Sequence, residues 1–328
     1  MWIFRLAGLA LSFLAMGAWF VSPWVWGLPF WVNLVWLYVG GLWSAWGLWK
    51  DRKYWIGWAA LGGLWLVQVA FIWKVWPGRP EAGALRVATF NMDAAHYSRL
   101  QIERLADSLR TWHPHVLCLQ EVYLGDYRVQ AFVRRLGYRY GAFLDAGGQM
   151  GMLVVSDWPL RARPQLLLQK GSTSGLQEVE VITPQGSLTL LNVHFPSYRL
   201  LQSSFWRWAW LRSVWQVHRR FEEVLLARID QVKEPLLVCG DFNSLPFSPR
   251  YFALARRLWE GFWAASWGSG PTWRYPWLRI DYIWASGKAQ SYQVRWLPYQ
   301  RHAYVECAYR WDELKVAQKA LPLPVQGR

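Results

Sequence analysis

The chain is 328 residues long, carries a formal net charge of +15, and is 54% hydrophobic with 28 Trp. Residues 6–49 and 54–73 contain no Asp, Glu, Lys, Arg or His. Such stretches exclude a chain that is soluble throughout, and the apolar and aromatic content excludes disorder. Cys118, Cys239 and Cys307 are too few for a disulfide framework; each sits in an apolar run and is expected as a buried free thiol.

From the N-terminus, residues 6–49 are too long for one membrane span of about 20 residues and fit two. The break falls where Ser22-Pro23 and Leu28-Pro29 punctuate the run. Helical spans are expected near 6–22, 29–49 and 54–75, making residues 1–76 a three-helix transmembrane anchor. A secretory signal is rejected, because no small-residue cleavage site is evident and a second span follows at once. Trp24, Trp26, Trp31, Trp49, Trp55, Trp73 and Trp76 cluster at the expected ends, as an aromatic belt does. Arg5 and the Lys50-Asp51-Arg52-Lys53 loop place the N-terminus and that loop in the cytoplasm. Three crossings then leave the rest outside the cytoplasm, although Lys74 and Arg79 weigh the other way. The expectation is a multi-pass membrane protein with the lipid bilayer as one partner. No charge lies within a span, so the region reads as an anchor rather than a transport path.

Residues 77–83 form a Pro/Gly linker, 84–310 read as one soluble domain, and 311–328 as a C-terminal tail. Lys and Arg outnumber Asp and Glu in the soluble part, which suits a polyanion, an acidic headgroup or an anionic membrane surface. Strands are expected at 85–90, 116–120, 152–156, 179–182, 187–193, 236–239, 280–285 and 303–309. Helices are expected at 99–111, 129–136, 206–231 and 249–259. Several strands run directly into polar residues, where loops on one sheet edge commonly build a site. The Trp- and Arg-rich stretch at 205–215 has three readings: a helix dipping into lipid, an aromatic-basic surface for nucleic acid, or a core helix.

The strand ends deliver a set of side chains suited to phosphodiester hydrolysis. That reaction needs a hard cation held by oxygen ligands, a base for water, and fixed donors for the developing charge. Glu121 can ligate the cation, and Asn91 can offer its amide oxygen directly or through water. Asp241 can take the proton from water, and Asn243 can hold that water or a phosphate oxygen. His194 and His302 can donate to phosphate, and Asp281 can fix the His302 tautomer and raise its pKa. His96, five residues past Asn91, is a candidate substrate contact.

These motifs resemble the endonuclease/exonuclease/phosphatase superfamily, which includes deoxyribonuclease I-like and neutral sphingomyelinase-like enzymes. The resemblance rests on Gly240-Asp241-Phe242-Asn243 and Arg279-Ile280-Asp281-Tyr282, supported by Thr89-Phe90-Asn91, Leu119-Gln120-Glu121 and the run at 151–160. The layout is similar to membrane-anchored bacterial members. The resemblance implies a four-layered α/β (α+β) sandwich of two mixed β-sheets flanked by helices. It implies Mg²⁺ or Mn²⁺ with Glu121 as main ligand and Asn91 nearby. It also implies Asp241 as base, Asn243 and His194 as phosphate contacts, and Asp281 with His302 as a dyad. The expected function is hydrolysis of a phosphodiester, in a phospholipid headgroup or in nucleic acid. One residue departs from the pattern: Arg301 stands where the family usually has a metal-site Asp. Arg301 can turn away, contact the substrate phosphate, or pair with Glu121 and silence the site. The last arrangement would leave a binding module on a hydrolase fold.

Overall fold

The computed structural model describes position 59 and residues 78–94, 98–125, 128–163, 165–168, 172–197, 208–233, 235–266, 270–274, 278–298 and 300–316. Apart from position 59, the three expected membrane spans lie outside the described residues, and so does His96. Among the described residues, no helix is long and apolar enough to cross a membrane.

Two mixed sheets face each other. The first joins β1 (Leu85–Asn91), β2 (Val116–Tyr123), β3 (Tyr140–Gly147), β4 (Met150–Ser156), β12 (Ala289–Arg295) and β13 (Tyr304–Tyr309) in the order β12-β13-β1-β2-β4-β3. The second joins β5 (Leu160–Ala162), β7 (Gly175–Thr183), β8 (Gly186–His194), β9 (Leu236–Asp241), β10 (Trp259–Glu260) and β11 (Asp281–Ala285) in the order β10-β11-β9-β8-β7-β5, with β6 (Leu166–Leu167) also on β7. Each sheet contains one parallel pair, β1 with β2 and β8 with β9. Six helices complete the described fold: α1 (Arg99–Trp112), α2 (Val129–Arg135), α3 (Trp208–Gln231), α4 (Pro249–Ala255), α5 (Gly261–Ala265) and α6 (Trp311–Val316).

The layers follow from strand alternation, because successive side chains point to opposite faces. In β1, Val87 packs between the sheets while Ala88 and Phe90 face α1 and α2. In β9, Leu237 and Cys239 pack between the sheets while Leu236 and Val238 face α3 and α4. Both faces of the central strands are covered, so they read as continuous apolar runs. Ile102, Leu105 and Leu109 seat α1, and Phe221, Leu225 and Ile229 seat α3. The result is the expected four-layered sandwich. All three Cys are buried and free, as expected.

The eight expected strands coincide with observed ones; the partly exposed edge strands β3 and β12 and the short β5, β6 and β10 were not anticipated. The helix expected over 249–259 stops at Ala255, because the chain turns into β10 and pairs Trp259 with Ala285. The tail expected from 311 begins with α6, which belongs to the domain: Leu314 is fully buried in the central core, and its carbonyl accepts from the Ser286 hydroxyl at 2.9 Å. In the Trp-rich stretch, α3 starts at Trp208, and Trp215 is 55% exposed. From residue 214 onward, the inward face of α3 is formed by His218, Phe221, Leu225 and Ile229.

A buried polar layer ties the two sheets together beneath their carboxyl ends. Gln120 donates to Asn192 Oδ1 at 2.7 Å and to Thr89 at 3.0 Å. Asn192 donates to the Leu119 carbonyl at 3.2 Å and to Gln177 Oε1 at 3.0 Å. Asn192→Ala leaves these buried partners unpaired, at roughly 1–3 kcal/mol for each group. The variant is expected to lose about 3 kcal/mol of stability, read from its urea unfolding midpoint against the unmodified protein.

Candidate active site

The carboxyl ends of the two parallel strand pairs meet at one point. On the second sheet, pairing sets His194 opposite Asp241 and Asp281 opposite Asp241, so three polar side chains stand in a row. On the first sheet, Asn91 ends β1 opposite Gln120. Glu121 follows at a register shift between Leu119 and Val122 in the β2–β4 pairing, with φ of 49°. A bulge of this kind redirects a side chain out of strict alternation, and here it turns Glu121 toward the other sheet. Asp93 (φ 48°) and Asn243 (φ 43°) are also left-handed. Backbone strain costing about 1–3 kcal/mol per residue therefore concentrates at this site.

Asn91 joins the sheets. Its Oδ1 accepts from the Asp93 backbone N–H at 2.9 Å. A backbone N–H can only donate, so the amide orientation is settled. Nδ2 then donates to Glu121 Oε1 at 3.2 Å and to Asp241 Oδ2 at 3.0 Å. The expected role of Asn91 as an oxygen ligand does not match this arrangement, since the amide presents nitrogen to both carboxylates.

Asp241 is almost fully buried and ringed by donors. Its Oδ1 accepts from the Asn243 backbone N–H at 2.8 Å, and its Oδ2 from Asn243 Nδ2 at 3.3 Å. His194 Nε2 and His302 Nε2 each lie 3.9 Å from Oδ2. Burial and the neighbouring Asp281 charge push its pKa up to about 6, against the pull of the two imidazoles. Asn243 Nδ2 also donates to the Phe195 carbonyl at 2.9 Å, so this amide nitrogen fixes the Asp241 loop to the His194 loop.

His302 Nδ1 lies 3.2–3.3 Å from both Asp281 carboxylate oxygens, which directs Nε2 into the site. Burial alone would lower the His302 pKa, but Asp281 outweighs it and lifts the value to about 9. Asp281 and His302 are thus in direct side-chain contact. Thr272 supports this contact, its hydroxyl accepting from the Ile280 and Asp281 backbone N–H groups at 3.0 Å. His194 Nδ1 lies 3.0 Å from the Thr173 carbonyl, so Nδ1 carries the proton and Nε2 faces Glu121 Oε1 at 3.3 Å. Burial opposes the charged imidazole, yet the hydrogen bond to Glu121 and its charge raise the net pKa. Burial likewise pushes Glu121 up, and the two histidines and Asn91 reverse that, bringing it down to about 2.

Arg301 turns away from Glu121. Its Nε and Nη2 bind the Asp93 carboxylate oxygens at 2.5 and 2.6 Å in a bidentate pair. The Asp93 side chain is 3% exposed and that of Arg301 46%. Of the three expected arrangements, pairing with Glu121 is not the one adopted. Asp93 was missed in the sequence, although it sits two residues after Asn91. Gln120 and Asn192, polar residues inside apolar runs, were missed too.

The donor set suits a hard divalent cation. The Glu121 carboxylate is held in its charged form and shares the Asn91 amide donor with the Asp241 carboxylate, so anionic oxygens converge where, among the described residues, only imidazole groups supply nearby positive charge. Asp241, Asp281 and His302 also offer ligand atoms within 4.8 Å of one another. Asp281 is already engaged by His302 and Asp241 by Asn91 and Asn243, so Glu121 is the most open carboxylate of the three.

Several solved structures share this fold. An endonuclease/exonuclease/phosphatase from Beutenbergia cavernae is 19% identical, with 70% of this chain and 71% of that chain covered at a TM-score of 0.52. The 3′ phosphatase NExo from Neisseria, bound to a product DNA hairpin, is 16% identical, with 70% and 100% covered at 0.53. A humanised D. rerio TDP2 is 16% identical, with 69% and 99% covered at 0.51. No curated protein matches the chain. The family model described as the Endonuclease/Exonuclease/phosphatase family matches residues 88–303, a span containing every site residue described above. Matched over more than half its length, the chain belongs to the endonuclease/exonuclease/phosphatase family.

Proposed function

We propose that this protein is a membrane-anchored, metal-dependent phosphoesterase whose active domain lies outside the cytoplasm. The observation that carries the chemistry is geometric: Glu121, Asp241, His194 and the Asp281–His302 pair converge at one point, and their surroundings hold Glu121 low and lift Asp241 and His302. Titratable groups driven apart within one site supply an anchor carboxylate, a base and an acid at the same pH.

Glu121 would hold Mg²⁺ or Mn²⁺, leaving Asp241 as the base. The bound cation would neutralise phosphate charge. Water attacks phosphorus in line with the departing oxygen, and Asp241 takes the proton of that water. His302, kept protonated by Asp281, donates from Nε2 to a phosphate oxygen. His194 donates from its own Nε2 on the other side of Asp241. Asn243 holds the Asp241 loop, and Asn91 keeps the two carboxylates at a fixed separation. Arg301, half-exposed just before β13 and paired with Asp93, would contact phosphate at the rim.

Nucleic acid is the substrate favoured here, because the similar fold of NExo acts as a 3′ phosphatase on DNA. The uncharged N-terminal segments favour a phospholipid headgroup instead. A panel of 3′-phosphorylated oligonucleotides and phospholipid vesicles, assayed with Mn²⁺ and with EDTA, separates the two. Hydrolysis of neither under any metal condition contradicts the proposal.

The pH dependence follows from the two titrations. Asp241 acts when ionised, so kcat/KM is expected to rise with pH through about 6. His302 acts when protonated, so the rate is expected to fall through about 9. A pH–rate profile checks both limbs; one that is flat from 5 to 10 contradicts the assignment.

A further inference from the structure

Behind the loops that carry His194, Asp241 and Asn243 lies a buried guanidinium that touches none of the reacting groups. Arg250 is the second residue of α4, whose N-terminus is capped by Ser248 and opened by Pro249. Its side chain is 7% exposed. Nη1 donates to the Phe242 carbonyl at 3.0 Å, Nη2 to His218 Nδ1 at 2.8 Å, and Nε to Glu222 Oε2 at 3.3 Å. The guanidinium carbon sits 3.9 Å from the centre of the Phe195 ring.

His218, on α3, extends this contact. A guanidinium only donates, so His218 Nδ1 accepts. A carbonyl only accepts, so Nε2–H donates to the Pro196 carbonyl at 2.7 Å. One cation therefore holds the carbonyl of Phe242 directly and the carbonyl of Pro196 through an imidazole. Phe242 lies between Asp241 and Asn243, and Pro196 lies two residues beyond His194. The same two loops are stitched by Phe195 N–H to the Asp241 carbonyl at 2.9 Å and by Asn243 Nδ2 to the Phe195 carbonyl at 2.9 Å. Phe195, covered by the guanidinium on one side, stacks on Phe242 and packs against Phe221. Burying an arginine is expensive unless its donors are used, and apolar residues fill such space at least as well. What this arginine adds over an apolar residue is a forked, directional hold on two backbone carbonyls.

We infer that Arg250 and His218 form a positioning relay that sets the His194 loop against the Asp241–Asn243 loop for the phosphoester reaction. The inference rests on the proposed phosphoesterase reading for its kinetic consequence, and on the geometry alone for its structural one. His218→Phe keeps an aromatic ring but removes both hydrogen bonds. His218→Gln retains an amide that can donate to Pro196 and accept from Arg250.

Two readouts on the full-length protein test the relay. In Mn²⁺-dependent hydrolysis, His218→Phe is expected to lower kcat by more than tenfold with KM within about twofold, and His218→Gln to recover most of the loss. In nuclear magnetic resonance of histidine-labelled, metal-free protein, His218→Phe is expected to shift the His194 ring signals, and His218→Gln to leave them near their original positions. Unmoved His194 signals in a folded His218→Phe protein overturn the relay whether or not the protein hydrolyses anything. Full kcat in that variant overturns it as well. A protein inactive before any substitution refutes the phosphoesterase reading, and the ring signals then decide the relay by themselves. Where His218→Phe does not fold, Arg250→Lys keeps the charge but cannot bridge Phe242 and His218 together. It is expected to show the same kcat loss and shifted signals, and unchanged values in both overturn the relay.

Discussion

Asp241→Asn is expected to lower the hydrolytic rate constant by about 10²–10⁴-fold, the usual yield of a positioned general base. Asparagine fills the same space and cannot accept the proton of water. The substitution should also change how stability depends on pH, which a simple packing defect would not do. Burial and Asp281 lift the Asp241 pKa from 3.8 to about 6. The folded protein therefore holds this proton more tightly than the unfolded chain. The resulting stabilisation is complete below the unfolded pKa and disappears as pH rises through the folded one. Metal-free protein should thus lose on the order of 1–3 kcal/mol from this group between about pH 4 and 7. Asp241→Asn should remove that contribution, so the two melting-temperature curves converge or diverge across this window. Parallel curves, or activity within tenfold of the unmodified protein, would contradict the role given to Asp241.

Gly240→Ala is expected to cost about 4 kcal/mol and to abolish activity in whatever fraction folds, because overpacking and a forced backbone each contribute a few kcal/mol. Gly240 has φ of 146°, a region that side chains seldom occupy. A Cβ there would lie 1.9 Å from the Val193 carbonyl oxygen. That atom belongs to the neighbouring backbone of β8, which cannot swing aside as a flexible side chain would. Val193 precedes His194, and Gly240 precedes Asp241, so relief of the clash moves both site residues. Urea unfolding with activity normalised to the folded fraction checks the expectation. A cost under about 1 kcal/mol would mean that β8 and β9 yield more easily than their close pairing implies.

The layered fold was legible because its central strands are covered on both faces. Runs such as Val116–Leu119 and Leu236–Cys239 carry apolar residues to both neighbouring cores, as do Leu153–Val155 and Leu188–Val193. Tyr140–Gly147 and Ala289–Arg295 lack this signature, being edge strands with partly exposed residues. Most site residues were legible for a related reason: a polar group directly after a buried run has to emerge at a strand end. Their orientation was not. The bulge that turns Glu121, the Thr173 carbonyl that fixes His194, and the Asp93 N–H that settles Asn91 are backbone features with no residue-type signal.

Arg301 shows the same limit on electrostatic reading. In sequence, its charge stood in conflict with a cation at Glu121. In the structure, a carboxylate 208 residues away absorbs that charge in a bidentate pair. Asp93 reaches it because the strand ends of β1 and β13 are neighbours in one sheet, a relation that only the fold supplies. Two short charge-assisted bonds hold the guanidinium toward Asp93, which leaves Glu121 to His194 and Asn91.

The most direct test of the account is a calorimetric titration of the purified full-length protein with Mn²⁺, run beside Glu121→Ala and Arg301→Asp. Binding is expected in the unmodified protein and lost in Glu121→Ala, and hydrolysis is expected to be abolished by EDTA and restored by Mn²⁺. Binding that appears only in Arg301→Asp would contradict the account. The Arg301 charge would then silence the site despite its pairing with Asp93, and a binding module on a hydrolase fold would be the correct description.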